Sequence, residues 1–199
     1  MYAPRAKFER IYIVSPVKVA IIFFTSLHCL FLFIAILTSF WIETKIGHYG
    51  PLFSCEKRLI RENFLSTKVS IDCFLGGFIY DRNIFSIPLT GLLIILSFIL
   101  GIASILTATF SLMKSSTSIR YRYWLCTILL HLFICLIDCF ILVFIPLSYH
   151  HQIYYLQWAY GLHCGATLFI SVSLIASILT HNTDDVQYIE AVDESAIDR

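Results

Sequence analysis

The stretch WIETKIGHYGPLFSCEKRLIRENFLSTKVSIDC, Trp41 to Cys73, decides how this chain is built. It is the only long polar segment set between apolar runs, and it holds Trp41, Gly50, Leu52, Phe53, Cys55 and Cys73. Before it, Val19 to Trp41 runs for 23 residues without a charge. At about 1.5 Å per residue that is enough to cross roughly 30 Å of hydrocarbon. After it, Ile84 to Met113 is charge-free for 30 residues, long enough to span with tilt or to project beyond a bilayer. A polar loop between two such runs reads as a surface presented on one face of a membrane.

Composition agrees. Of 199 residues 58% are hydrophobic and 14% charged, where a soluble domain would carry about a quarter charged residues. So little polar surface cannot cover a fold of this size in water, and a bilayer must act as much of the solvent. The net charge of +1 gives no reason to expect nucleic acid.

Working outward, residues 1–15 form a basic N-terminus with Arg5, Lys7 and Arg10. Ser15-Pro16 reads as an N-cap followed by proline in the first turn, Lys18 is placed to snorkel into headgroups, and Trp41 closes the first span as an interfacial indole. The expected layout is a first span at 16–42, an outer loop at 43–83 and a second span at 84–113. A basic link at 114–122 leads to a third span at 123–146, a second outer loop at 147–153 and a fourth span at 154–180. An acidic tail, 181–199, holds six acids against Arg199 alone and reads as disordered. Short strands are expected around His48–Ser54 and Val69–Leu75. No cleavable signal peptide is expected, because the first apolar run is too long for one.

Four spans put both termini on one side. That side carries eight Lys and Arg, three of them in the short 114–122 link. The other carries six, in a loop that also holds five acids. The positive-inside tendency therefore places both termini in the cytoplasm. The cysteines agree. Five of seven lie inside apolar runs, where a thiol acts as a small hydrophobe, while Cys55 and Cys73 fall in the loop assigned to the oxidising exterior. They are expected to pair, stabilising the loop by about 3 kcal/mol; two free thiols are the alternative. No CxxC occurs, which argues against a thiol oxidoreductase.

A Trp closing the first span, then Gly50-Pro-Leu-Phe-Ser-Cys55 and a second cysteine before span two, resembles the claudin and peripheral-myelin-protein superfamily. That family's signature is a Trp, a Gly-Leu-Trp and two cysteines in the first extracellular loop. Pro51 and Phe53 depart from it. Ser15 to Lys18 (SPVK) and Trp158 to Phe169 (WAYGLHCGATLF) are similar to the transmembrane protein 47 group, also called brain cell membrane protein 1. The resemblance implies an all-α integral membrane protein: a four-transmembrane-helix, claudin-like bundle with a small disulfide-tied extracellular β-sheet between helices 1 and 2. It implies a plasma-membrane location at cell–cell junctions, with cadherin-based adhesion complexes and the actin cortex as partners. It makes Trp41, Gly50, Leu52, Phe53, Cys55 and Cys73 a fold signature, none of them catalytic.

Inside the spans, Asp138 is the anomaly. A carboxylate at bilayer depth costs about 2.5–3.5 kcal/mol on insertion scales, and such residues are often functional. His131, Cys135 and Asp138 recur on one helical stripe with Cys139 adjacent. That is a candidate metal or proton-relay set, for which further ligands would have to come from His28, His163 or Cys164. The simpler reading is an Asp hydrogen-bonded to a neighbouring helix and fixing the packing. Gly161 and Gly165 supply a small-residue pair for close helix packing, or alternatively a dimer seam. His150 and His151 read as a hydrated link, and Cys126 as a membrane thiol or a palmitoylation site. The leading expectation is a non-enzymatic junction protein with no cofactor or metal, capable of homo-oligomer formation. An auxiliary subunit of a channel or receptor is the second reading, and a transporter or metal-handling protein centred on Asp138 the third.

Overall fold

A computed structural model of the chain describes residues 7–12, 15–43, 47–63, 66–75, 86–114, 116–149, 155–181 and 186–191. Four helices carry the fold: α1 (Pro16–Ile36), α2 (Ser86–Met113), α3 (Thr117–Tyr149) and α4 (Trp158–Leu179). All four contain stretches long and apolar enough to cross a membrane, with mean hydropathy of 2.0 to 2.9. Each packs on its sequence neighbours, and α1 closes the ring against α4.

The burial pattern explains the packing. On α3 the buried positions are Trp124, Thr127, His131, Ile134, Asp138, Ile141 and Ile145, alternating three and four residues apart. On α2 the same alternation buries Thr90, Ile94, Ser97, Ser104, Ala108 and Ser111, with Gly101 in step. Helices α1 and α4 follow it through Ile21, Thr25, His28, Leu32 and Ala35, and through Ala159, His163, Ala166, Ile170, Ser173 and Ser177. A 3.5-residue repeat is the seam of left-handed supercoiled bundles. The outer faces carry Phe23, Leu30, Leu92, Leu106, Phe133, Leu136, Val143, Leu168 and Ile175, each half exposed or nearly so. Apolar surface on that scale suits lipid and not water.

Chain punctuation sets the helix ends. Ser15 is extended and Pro16 opens α1. The helix stops at Ile36, and Leu37 to Trp41 turn back over its end, so the expected run to residue 42 is shorter as helix. Helix α3 begins at Thr117, within the segment expected as a link, and continues through Pro146 to Tyr149. Proline lacks the N–H that would bond the carbonyl four residues earlier. That carbonyl, Leu142 O, instead accepts a bond from the Tyr160 hydroxyl at 2.8 Å. The helix passes through its proline because α4 supplies the missing donor.

At one end of the bundle five antiparallel strands form a cap: β2 (Ile42–Glu43), β3 (Gly47–Tyr49), β4 (Phe53–Asn63), β5 (Ser66–Leu75) and β6 (Tyr155–Leu156). Their order is β5-β4-β3-β2-β6. The loop strands are not all short: β4 and β5 form a hairpin of 11 and 10 residues, with an irregularity at Arg61/Asn63. The sheet is also not confined to the loop between α1 and α2, since β6 comes from the segment before α4.

At the opposite end β1 (Lys7–Tyr12) pairs antiparallel with β7 (Val186–Ala191), joining the two terminal segments. This corrects the reading of the whole tail as disordered. The sequence VQYIEA of β7 is rich in strand-forming side chains, and of the six tail acids only Glu190 falls within it.

Candidate functional site

The cap is built on Trp41. The indole is 2% exposed, so it is not the headgroup-facing anchor expected from its position at the end of an apolar run. Its Nε1 donates to Ala35 O at 2.6 Å, satisfying one of the carbonyls that the end of α1 leaves without a helical partner. Its ring lies 5.4 Å from His163 and 6.4 Å from Tyr160, both on α4. The backbone on either side is tied down as well. Trp41 O accepts from Gln157 N (3.0 Å) and Phe40 O from Ala159 N (3.2 Å), while Gln157 Nε2 donates to Glu43 Oε2 at 2.6 Å. The start of the sheet is therefore welded to the start of α4.

The remaining signature residues extend the cap from that root. Gly50 N donates to Phe53 O at 2.9 Å, closing a tight hairpin around Pro51 and Leu52. A Cβ on Gly50 would run into the backbone oxygen of Thr38 and the Cα of Ser39, so only glycine lets this hairpin sit on the turn after α1. Leu52 packs against the apolar cluster that contains Trp41, Leu32, Ile36 and Ile145. Phe53 is half-buried and opposes Leu75. Cys55 and Cys73 are register partners on β4 and β5 and are joined by a disulfide. Tying directly opposed residues, the bond fixes the hairpin's register as well as its closure.

Beneath the cap, the bundle interior is polar. His28, Ser97, Asp138, His131 and His163 have no exposed surface. Ser97 Oγ donates to Asp138 Oδ1 at 2.7 Å, and His28 Nδ1 lies 3.6 Å from Asp138 Oδ2. His28 Nδ1 donates to Ala166 O at 3.1 Å. Asp138 therefore bonds α2 directly and faces α1 across the bundle. Nearer the terminal end, His131 has one ring nitrogen against Thr25 Oγ1 (3.0 Å) and the other against Ser177 Oγ (3.2 Å). Trp124 Nε1 donates to Ser177 O at 3.1 Å. Lys18 does not snorkel: it is buried, with Nζ 5.2 Å over the Trp124 ring.

The stripe His131, Cys135, Asp138 and Cys139 does not converge. Cys135 is turned to Ser171 on α4, 3.4 Å away, and Cys139 is exposed on the outer face. Among the described residues no group of three or more His, Cys, Asp or Glu side chains is placed to hold a metal. Cys126 is exposed on the outer surface of α3. The glycine pair also separates. Gly165 lies against the Phe31 ring of α1, whereas a Cβ on Gly161 would meet nothing within 4 Å. The internal packing contact expected at Gly161 is thus not made. His150 and His151 lie outside the described residues.

Sequence reasoning named Asp138 and His131 but missed their respective partners, Ser97 and Thr25. The available signal was the heptad itself: marking every position in step with Asp138 and Ile134 exposes the polar residues that share the seam.

No family model matches the chain, and neither does any curated protein sequence.

Proposed function

We propose that the chain is a non-enzymatic four-span plasma-membrane protein of the claudin and peripheral-myelin-protein superfamily, closest to the transmembrane protein 47 group. It acts at cell–cell junctions, where it organises adhesion and its link to the cortical cytoskeleton. The observation that carries this reading is the cap. A sheet drawn from both loops on one side is rooted in the bundle by Trp41 and Gln157 and locked in register by Cys55–Cys73. Such a platform suits holding a fixed recognition surface. Its outer strand, β5, is 10 residues long and ends the sheet order among the described residues, a position where a partner's strand can add. With the cap outside, the paired termini lie in the cytoplasm, where they can reach cadherin-linked and cortical proteins.

Epithelial cells expressing a fluorescent fusion test this directly. Enrichment at cell–cell contacts over free membrane is expected, with loss of enrichment in the Cys55→Ser/Cys73→Ser double variant. An even distribution over the free surface overturns the junction reading.

One observation favours an auxiliary subunit as the second reading. The exposed, unfilled position at Gly161 leaves a shallow face on α4 against which a partner's helix can pack. In that case the chain copurifies stoichiometrically with one channel or receptor, and Gly161→Leu abolishes the association.

A further inference from the structure

We infer that Asp138 and His28 form a binding site for one proton inside the bundle. The argument is a count of donors and acceptors. Asp138 has two carboxyl oxygens. Oδ1 accepts the Ser97 hydroxyl, and Oδ2 has no hydrogen bond. His28 Nδ1 is 3.6 Å from Oδ2, too far for a bond of good geometry. Its hydrogen is already directed to Ala166 O, which as a carbonyl can only accept. That fixes the neutral ring in its Nδ1–H tautomer and leaves Nε2 as a bare acceptor, also without a partner. Two buried acceptors therefore face an interior that lacks one hydrogen.

Charge points the same way. With Asp138 ionised and His28 neutral the site carries −1. The titratable groups that interact with it are Cys29 beside His28 on α1, His131 and Cys139 on α3, and His163 on α4. Helix α2 contributes only the hydroxyls of Ser97 and Ser104 and the backbone at Gly101. Among the described residues no Lys or Arg shares this layer, Lys18 being held at the far end over Trp124. An uncompensated carboxylate at this depth is strongly disfavoured, and one proton on Oδ2 removes the charge. The ionised state is nonetheless supported by the Ser97 hydroxyl and by the imidazole dipole facing Oδ2.

The two ends of the polar column differ. Towards the terminal end, both nitrogens of His131 are occupied by Thr25 and Ser177. Towards the cap, His163 is fully buried with both ring nitrogens free of hydrogen bonds of good geometry, and its ring lies against Trp41 at the root of the sheet. Protonation balances in one step: hydronium transfers its proton to Oδ2, an O–H bond forms, water is released, and the site passes from −1 to neutral.

The test is infrared difference spectroscopy of the full chain in lipid nanodiscs, stepped between about pH 5 and about pH 9, which brackets carboxyl and imidazole titration inside proteins. A protonated-carboxyl C=O stretch is expected to appear as pH falls and to vanish on raising it again. It should be absent in Asp138→Asn, with the Cys55–Cys73 bond intact by non-reducing mass spectrometry. It should move to higher frequency in Ser97→Ala, which removes the hydroxyl bonded to Oδ1; this second variant assigns the band should Asp138→Asn not fold. A band that stays at full height across the range, no carboxyl band at any pH, or a titrating band unmoved by both variants overturns the proposal.

Discussion

Leu142 O, Tyr160 and Pro146 set a prediction at the scale of single residues. The Tyr160 hydroxyl supplies the donor that Pro146 withholds from Leu142 O. Tyr160→Phe should therefore cost about 1 kcal/mol, the lower end of the penalty for leaving a partly buried carbonyl without a partner. Pro146→Ala restores the N–H within α3, so Tyr160→Phe made on that background should cost well under half as much. Thermal unfolding of the four proteins in detergent gives the coupling as a double-mutant cycle, and equal Tyr160→Phe costs on both backgrounds would refute the account. Trp41 supports a second prediction. Trp41→Ala removes a buried ring and the donor to Ala35 O, and should destabilise the bundle by about 3–5 kcal/mol. Trp41→Phe, which keeps most of the ring but loses the N–H, should fall between that and wild type. The role of Trp41 was only half legible in the sequence. An aromatic ending an apolar run signals a membrane interface, and only the fold shows that α4 approaches closely enough to bury it.

At the scale of elements, the cap hairpin and the helix seams separate what pattern reveals from what it hides. Cys55 and Cys73 were legible as a pair because they alone among the cysteines sit in a polar loop. The length of β4 and β5 was not, because their polar residues break the alternation that marks a half-buried strand. Nor was the recruitment of β6, a two-residue strand whose place depends on Gln157 and Ala159 bonding back to Trp41 and Phe40. Two outcomes follow. The Cys55→Ser/Cys73→Ser double variant should lose about 3 kcal/mol of cap stability for a separation of 18 residues, read as faster proteolysis of the hairpin with the helices still protected. Gly50→Ala should disturb the cap although it alters a single methyl, because that methyl meets the backbone at Thr38 and Ser39; lower yield of the Cys55–Cys73 bond is the readout. By contrast Gly161→Ala should leave thermal stability within about 0.5 kcal/mol of wild type, since its position is open.

At the scale of the whole molecule, two apolar clusters enclose a polar layer. Leu32, Ile94 and Ile141 lie under the cap, Ile21, Ala108 and Trp124 lie at the terminal end, and Asp138, His28 and His131 fall between them. The four spans were legible from composition because run length and absence of charge suffice to mark them. The polar seam was legible only as one anomalous Asp, since Ser, Thr and His at heptad positions look unremarkable until every helix is set in register with its neighbours. In the orientation we propose, four helices hold the disulfide-tied sheet outward while both ends of the chain stay inside. Epitope tags placed between Asn63 and Ser66 and after Arg199, stained on intact and then permeabilised cells, test this most directly. The loop tag should be stained on intact cells and the terminal tag only after permeabilisation; a terminal tag stained on intact cells, or a loop tag hidden until permeabilisation, would contradict it.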